Sequence, residues 1–154
     1  MKNKIIYFIL FLFFVSSCGY TPVFKQKDYP FQISKIEKIG NKDVNKHIAR
    51  KLSNLSIEND INKTKYNLEL KSKLIKEIIS KDSKGDPAVL KIQIDSEIKI
   101  IDIDGNNNVE KKISKTISYN NKSDKFELSR YEKTLIENLS QNIGDRIISI
   151  LSNL

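Results

Sequence analysis

AVLKIQIDSEIKIIDI (Ala88–Ile103) alternates almost without a break. Ala88, Leu90, Ile92, Ile94, Ile98 and Ile100 are apolar, set against Lys91, Gln93, Asp95, Glu97 and Lys99. A period of two puts these sets on opposite faces of a strand, one buried and one wet, as in an antiparallel sheet. Two neighbours read the same way. In Lys65–Ile79 the apolar positions are Tyr66, Leu68, Leu70, Leu74 and Ile78, and in Val109–Tyr119 they are Val109, Ile113, Ile117 and Tyr119. The segments Lys81–Pro87 (KDSKGDP) and Asp104–Asn108 (DGNNN) carry the turn residues that join the three.

Upstream, FQISKIEKI (Phe31–Ile39) places Ile33, Ile36 and Ile39 three apart. This imperfect alternation fits a first strand carrying a bulge. Val44, Ile48, Leu52 and Leu55 then form one helical stripe, with Asn41 or Asp43 as cap and an end near Ser56. Downstream, Asp124 and Glu127 form a capping box. Leu128, Tyr131, Leu135, Leu139, Ile143, Ile147, Ile150 and Leu154 keep helical spacing behind it. Gly144 costs that helix ~1 kcal/mol relative to alanine and either permits close packing or is a tolerated weak point. The helix would be ~43 Å long at 1.5 Å per residue, and strands of 14–16 residues would be ~45–53 Å. The lengths match. The predicted fold is α+β, a two-layer sandwich with two helices on one face of a four-stranded, mostly antiparallel sheet, in the order β-α-β-β-β-α.

The N-terminus reads differently. Lys2 and Lys4 precede an uncharged run, Ile5–Val15, and then Ser16-Ser17-Cys18. Eleven apolar residues are too few for a membrane-spanning helix, which needs ~20. They suit the hydrophobic part of a secretory signal, and small residues ahead of a lone cysteine suit a lipoprotein cleavage site. The expected organisation is a removed signal over 1–17, an extended lipid-anchored tether over 18–30, and one domain over 31–154. Two or more acyl chains on Cys18 make anchoring stable, at ~0.8 kcal/mol per buried CH₂. Gly19, in place of aspartate, favours sorting to the outer membrane. With the only cysteine consumed, packing alone must hold the fold.

The formal charge is +8, nearly all of it lysine, with arginine only at 50, 130 and 146. Lys2 and Lys4 leave with the signal, so the mature chain is near +6. Enrichment in Lys, Asn and Ile points to an AT-rich genome behind part of this charge. A tethered envelope protein rarely meets nucleic acid, and a phosphorylated lipid is the more sensible anionic partner. No cofactor is called for. No catalytic set emerges: His47 has no second histidine, and no phosphate-binding glycine loop or metal-ligand cluster appears. His47 reads as partly buried or surface, Asp102 and Asp104 as turn chemistry, and Lys111–Lys112 as solvent-side charge that discourages edge pairing.

Several motifs together resemble one family. The start Cys18-Gly19-Tyr20-Thr21-Pro22-Val23-Phe24 is close to Cys-Gly-aromatic-x-Pro-x-aromatic. Arg50-Lys51-Leu52 lies on the first helix, Tyr66-x-Leu68 opens a long strand, and a glycine-bearing turn precedes Ala88. Asp104-Gly105, Ser118-Tyr119-Asn120 and the closing amphipathic helix follow. In these features the chain resembles the LPS-assembly lipoprotein LptE family. It departs from the family at Thr21, where a basic residue is frequent, and in using lysine where arginine is common. Arginine is the better bidentate phosphate partner. The resemblance implies a partner and no reaction: a plug and assembly subunit of an LptD-type outer-membrane β-barrel that inserts lipopolysaccharide into the outer leaflet. Tyr20, Phe24, Lys81 and Lys84 are the candidate contacts to lipopolysaccharide or the barrel, and the lipid on Cys18 holds the chain to the membrane. Two other classes stay open. One is a general envelope lipoprotein that binds polysaccharide or stabilises another outer-membrane complex. The other is a small hydrolase built on a converging pair of carboxylates.

Overall fold

Strand β1 (Phe31–Gly40) runs parallel to β2 (Thr64–Lys81), and helix α1 (Lys42–Ser53) makes the crossover between them. Strands β3 (Pro87–Asp102) and β4 (Asn108–Asn120) extend the sheet antiparallel, in the spatial order β1-β2-β3-β4. Helix α2 (Lys125–Leu151) closes the chain. The computed structural model describes residues 29–53, 55, 63–103 and 108–154. The sequence-based expectation of a β-α-β-β-β-α fold with a mostly antiparallel sheet holds. The expected signal and most of the tether lie outside the described residues.

The bulge explains the odd spacing in β1. Ile33 pairs with Tyr66 and Lys35 with Asn67, so Ser34 is the extra residue. Ile33 and Ile36 thereby share the inner face, although they stand three apart. Ile39 does not join them. It pairs with Lys71 on the outer face and is 45% exposed.

Asn41 is the residue that starts α1, its Oδ1 accepting from Val44 N at 3.0 Å. Val44, Ile48 and Leu52 are fully buried against the sheet. The helix ends at Ser53, earlier than its apolar spacing suggests, with Leu55 packed just beyond it. Asp124 caps α2 by accepting from the N–H groups of Phe126 and Glu127 at 2.8 and 3.1 Å. The side chain of Glu127 turns to Lys122 instead, at 3.7 Å. The buried line of α2 is Leu135, Leu139, Ile143, Ile147 and Leu151. These steps of four end at Leu151, which replaces the half-buried Ile150 as the last member, and Leu154 lies beyond the end of the helix. Tyr131, also expected in the stripe, is 39% exposed and sets its ring edge-on to Tyr119 at 6.0 Å.

Gly144 is a packing residue. A Cβ there would meet Lys51 Cγ and Cβ at 2.9 and 3.0 Å, so the missing side chain lets α1 and α2 touch. Gly40 is more constrained. Its φ is +93°, and a Cβ would fall 2.1 Å from the Ser72 carbonyl oxygen. That oxygen accepts from Asn41 N at 3.0 Å, while Asn45 Nδ2 donates to Ile39 O at 2.9 Å. The turn thus ties β1, β2 and α1 at one point.

The helices do not cover the sheet evenly. Twelve residues of α1 span ~18 Å, against ~59 Å for the eighteen of β2. Beyond Ser72 the inner face has only α2 above it among the described residues, and Ile78, expected in the core, is 52% exposed.

Gly40→Ala should cost about 2–3 kcal/mol, the penalty of a left-handed residue with a blocked Cβ. The midpoint of urea unfolding with an unchanged slope would show it.

Candidate functional site

Among the described residues, three groups of charged side chains stand where a partner could meet them, and the sheet register decides how many are available. The outer face is the first. Across β2, β3 and β4 the register aligns Glu69 with Lys99 and Glu110, and Lys71 with Glu97 and Lys112. Glu97 lies 3.0 Å from Lys112 Nζ and 3.8 Å from Lys71 Nζ, and Lys91 lies 2.6 Å from Glu77. The hydrogen bond from Lys112, then its charge, holds the Glu97 carboxyl below its ordinary range and raises Lys112 in return. Asp95 is lowered by its hydrogen bonds from Ser114 at 2.6 Å and from Gln93. The wet face is therefore a chequered ladder of matched charge rather than an open field of lysine.

This ladder bears on the hydrolase reading. Glu69, Glu97 and Glu110 line a shallow cleft of about 360 Å³ together with Lys71, Lys99 and Lys112. A pair of catalytic carboxyls needs one member raised so that it can give up a proton near neutrality. Here the register sets a lysine beside each carboxylate, and Glu97 is pushed the other way.

The second group is the β2–β3 hairpin tip. Asp82 Oδ1 accepts from Lys84 N and Asp86 N, both at 2.9 Å, and Asp82 N donates to Asp86 O at 2.8 Å. The Asp82 carboxylate is thus occupied by backbone. Lys81 and Lys84 are exposed, and among the described residues neither has an ion-pair partner. They are the sequence-predicted contacts that the structure brings together. Cys18, Gly19, Tyr20 and Phe24 lie outside the described residues.

Sequence reasoning missed the third group. Lys38, Gly40, Lys42, Asn45 and Lys46 line a cleft of about 310 Å³ where β1 turns into α1. The three lysines sit on two elements and converge only through the turn at Gly40. The signal was present as KIGNKDVNK (Lys38–Lys46), but it has no period that marks a site. Asn45 in this cleft is buried, and its Oδ1 has no partner among the described residues.

His47 is partly buried at the α1–α2 contact, with Nδ1 3.8 Å from Glu137, which Arg50 also binds. Asp102 stands opposite Tyr66 at the end of β3. Burial, then the Asp102 charge, pushes that phenol up. Asp104, its expected turn partner, lies outside the described residues. Lys112 on the edge strand β4 faces the ladder and Lys111 the other side, as the alternation predicts.

One polar cluster lies between the layers. Tyr119 donates to Glu132 Oε1 at 2.5 Å, and Lys76 bonds the other carboxylate oxygen. Burial pushes Glu132 up, but the hydrogen bonds from Lys76 and Tyr119 and the lysine charge outweigh it and hold the carboxyl low. Burial and the same hydrogen bond push Tyr119 well above the usual phenol range. The cluster pins the first turns of α2 to β2 and β4.

No protein-family model and no curated protein sequence matches the chain. Solved structures do match it in fold. Rare lipoprotein B from Shewanella oneidensis aligns with a TM-score of 0.59 and 14% identity over 77% of this chain and 94% of that one. A minor lipoprotein from Acinetobacter baumannii gives 0.58 and 13% identity over 80% and 92%. Lipoprotein B from Nitrosomonas europaea gives 0.57 and 14% over 80% and 84%. At these identities what is shared is the fold.

Glu132→Gln should destabilise by about 1–3 kcal/mol, since it weakens the bonds that satisfy Lys76 and Tyr119. The sign with pH follows from the lowered carboxyl. Its contribution is present above the unfolded pKa and lost as pH falls through the folded one. The gap between wild type and variant in denaturant titrations should therefore shrink below about pH 4. A constant gap would mean that the carboxylate charge contributes nothing.

Proposed function

We propose that this chain is an outer-membrane lipoprotein, anchored through Cys18, that serves as plug and assembly subunit of a large lipopolysaccharide-inserting β-barrel of the LptD type. The observation that carries the reading is a coincidence of two independent features. The two-layer body has the fold of rare lipoprotein B over 94% of that protein's length, and this chain carries its own lipoprotein-type start ending in Cys18. The family resemblance in the start and in the element order adds the barrel and the lipopolysaccharide.

The physical properties suit such a task. A plug must stand in a hydrated lumen without aggregating. The matched ladder of the outer face supplies polarity without strong net attraction for any one sign. Gly19 directs the acylated chain to the outer membrane. Tyr20 and Phe24 supply an apolar contact near the anchor. Lys81 and Lys84 stand at the far end of β2, ~55–60 Å from the end where Tyr29 enters the domain, and meet the phosphates of lipopolysaccharide or acidic loops of the barrel. Lysine is a point charge there, so recognition rests on attraction more than on bidentate geometry.

Isolation of the full-length chain from outer membranes should bring down a large β-barrel in near-equal amount, and depletion should lower the level of that barrel and weaken the barrier to hydrophobic antibiotics. Recovery without a barrel, or an unchanged barrier, would leave only a general envelope lipoprotein. Separately, Cys18→Ser should abolish acylation and release the protein from the membrane fraction. Intact-mass measurement of the mature chain checks this directly, and an unmodified Cys18 in the wild type would end the proposal.

A further inference from the structure

Strand β1 stops at Gly40, opposite Ser72, yet β2 continues to Lys81. Nine residues of β2, Lys73–Lys81, are therefore paired to β3 on one side and to no strand on the other among the described residues. The hydrogen bonds show which groups face the gap. Ser72 O accepts from Asn41 N and Thr64 N donates to Pro30 O, so even-numbered residues of β2 address the β1 side. Lys65 O accepts from Ile103 N, so odd-numbered residues address β3. By alternation the N–H and C=O groups of Leu74, Lys76 and Ile78 point into the gap, up to the register slip after Ile78.

We propose that this flank of β2 is an acceptor edge for an extended, acidic segment of a partner polypeptide, which adds a strand in line with β1. The proposal does not rest on the barrel or on lipopolysaccharide.

Three observations select this edge and this occupant. The first is apolarity. Leu74 and Ile75 are half-buried, and Ile78 and Ile79 are each 52% exposed, which places apolar side chains on both faces of the gap. All three flanks carry charge, β4 with Glu110, Lys111, Lys112 and Lys115, β1 with a bulge and charged residues, and β2 with Lys73, Lys76, Glu77, Lys81 and a slip after Ile78. The β2 flank is the one whose unpaired stretch also bears two exposed isoleucines in a row.

The second is charge. Lys38, Lys42 and Lys46 ring the cleft at the Ser72 end, Lys81 and Lys84 stand at the other, and Lys73 lies between. Among the described residues these lysines form no ion pair, although Asp95 acts on Lys73 through space. The acids nearby are mostly engaged: Glu77 by Lys91, and Asp82 by backbone N–H groups, leaving Asp43 and Asp86. Lys76 is taken by Glu132.

The third is that a second copy fits poorly. The antiparallel register that uses all nine residues sets Lys73 opposite Lys81 and Glu77 opposite Glu77. Like charges directly opposite destabilise a pair, whereas acidic residues on the incoming strand complement the flank.

Amide hydrogen exchange on the full mature chain tests this, with a capped nine-residue peptide of alternating Glu and Val as probe and its Lys–Val counterpart as control. The Glu–Val peptide should slow exchange at Leu74, Lys76 and Ile78 at least tenfold and leave Ile75 and Glu77 unchanged, since those already bond to β3. The Lys–Val peptide should bind at least tenfold more weakly. Ile78→Pro removes one gap-facing donor without touching a β3 bond and should abolish the slowing at Leu74 and Lys76. Lys73→Glu with Lys81→Glu keeps the backbone intact and should invert the peptide preference. No slowing at millimolar peptide, equal response to both peptides, or slowing that follows protein concentration with no peptide present would each overturn the proposal.

Discussion

Gly40 ends β1 halfway along β2 because no other residue fits there. The chain must take φ +93° within 2.1 Å (by a virtual Cβ) of the Ser72 carbonyl, and the same carbonyl receives the first N–H after the turn. Three consequences descend from this contact. α1 must run back over the half of the sheet that β1 has just built. Lys38, Lys42 and Lys46 are drawn around the turn from two different elements. And β2 is left to continue beside β3 only, with nine residues of its other flank paired to no strand among the described residues. A first strand of full length would have hidden that flank and dispersed those lysines.

The charge of the chain takes on a different meaning once the register is known. A formal +8 suggests a broadly basic surface. The ladder on the outer face cancels much of it locally, because cross-strand neighbours of opposite sign alternate across three strands. Exposed pairs are screened by water and contribute little to folding, so the ladder matters less for stability than for what it withholds from solvent. Among the described residues, uncancelled lysines remain at the β1–α1 turn, at the flank of β2 and at the hairpin tip, and also at Lys111 and Lys115 on β4 and at Lys125 and Lys133 on α2. The matched ladder is thereby set apart from a basic margin.

Much of the fold was legible because the buried positions keep strict periods. Ile92, Ile94, Ser96, Ile98 and Ile100 step by two and are buried, as are Val44, Ile48 and Leu52 by four. Legibility failed where period and burial part. Ile78 continues the alternation of β2 but lies beyond the reach of α1, and Ile39 continues a spacing of three that the single bulge at Ser34 has already used. Leu154 continues the stripe past the end of α2, and Tyr131 precedes the part of it that the sheet buries. None of these errors could be corrected locally, because each depends on how far an element extends. The same holds for the candidate contacts. Lys81 and Lys84 are neighbours in sequence and announce themselves at a turn. The Lys38–Lys46 cluster requires knowledge that Gly40 folds a strand back onto a helix.

The two ends of the domain are therefore unequal in a way that bears on its use. At the end where the chain enters, Tyr29, Phe31 and Tyr66 make tilted ring contacts in sequence at 5.4 and 6.3 Å, and both helices and all four strands contribute to one core. At the other end, where β1 is absent and only β2, β3 and β4 continue, Ile78 and Ile79 are exposed, with the 71% exposed Phe126 at the start of α2. Burying the exposed part of such side chains is worth on the order of 1 kcal/mol each, so the isolated domain forgoes stabilisation that a partner can supply. The Lys76–Glu132–Tyr119 cluster holds this end in place meanwhile, by bonding the start of α2 to β2 and β4 at the point where α1 no longer helps. A domain well packed at the end where the chain enters and incompletely covered at the other suits the added strand proposed above, and the lysines along that flank favour an acidic one.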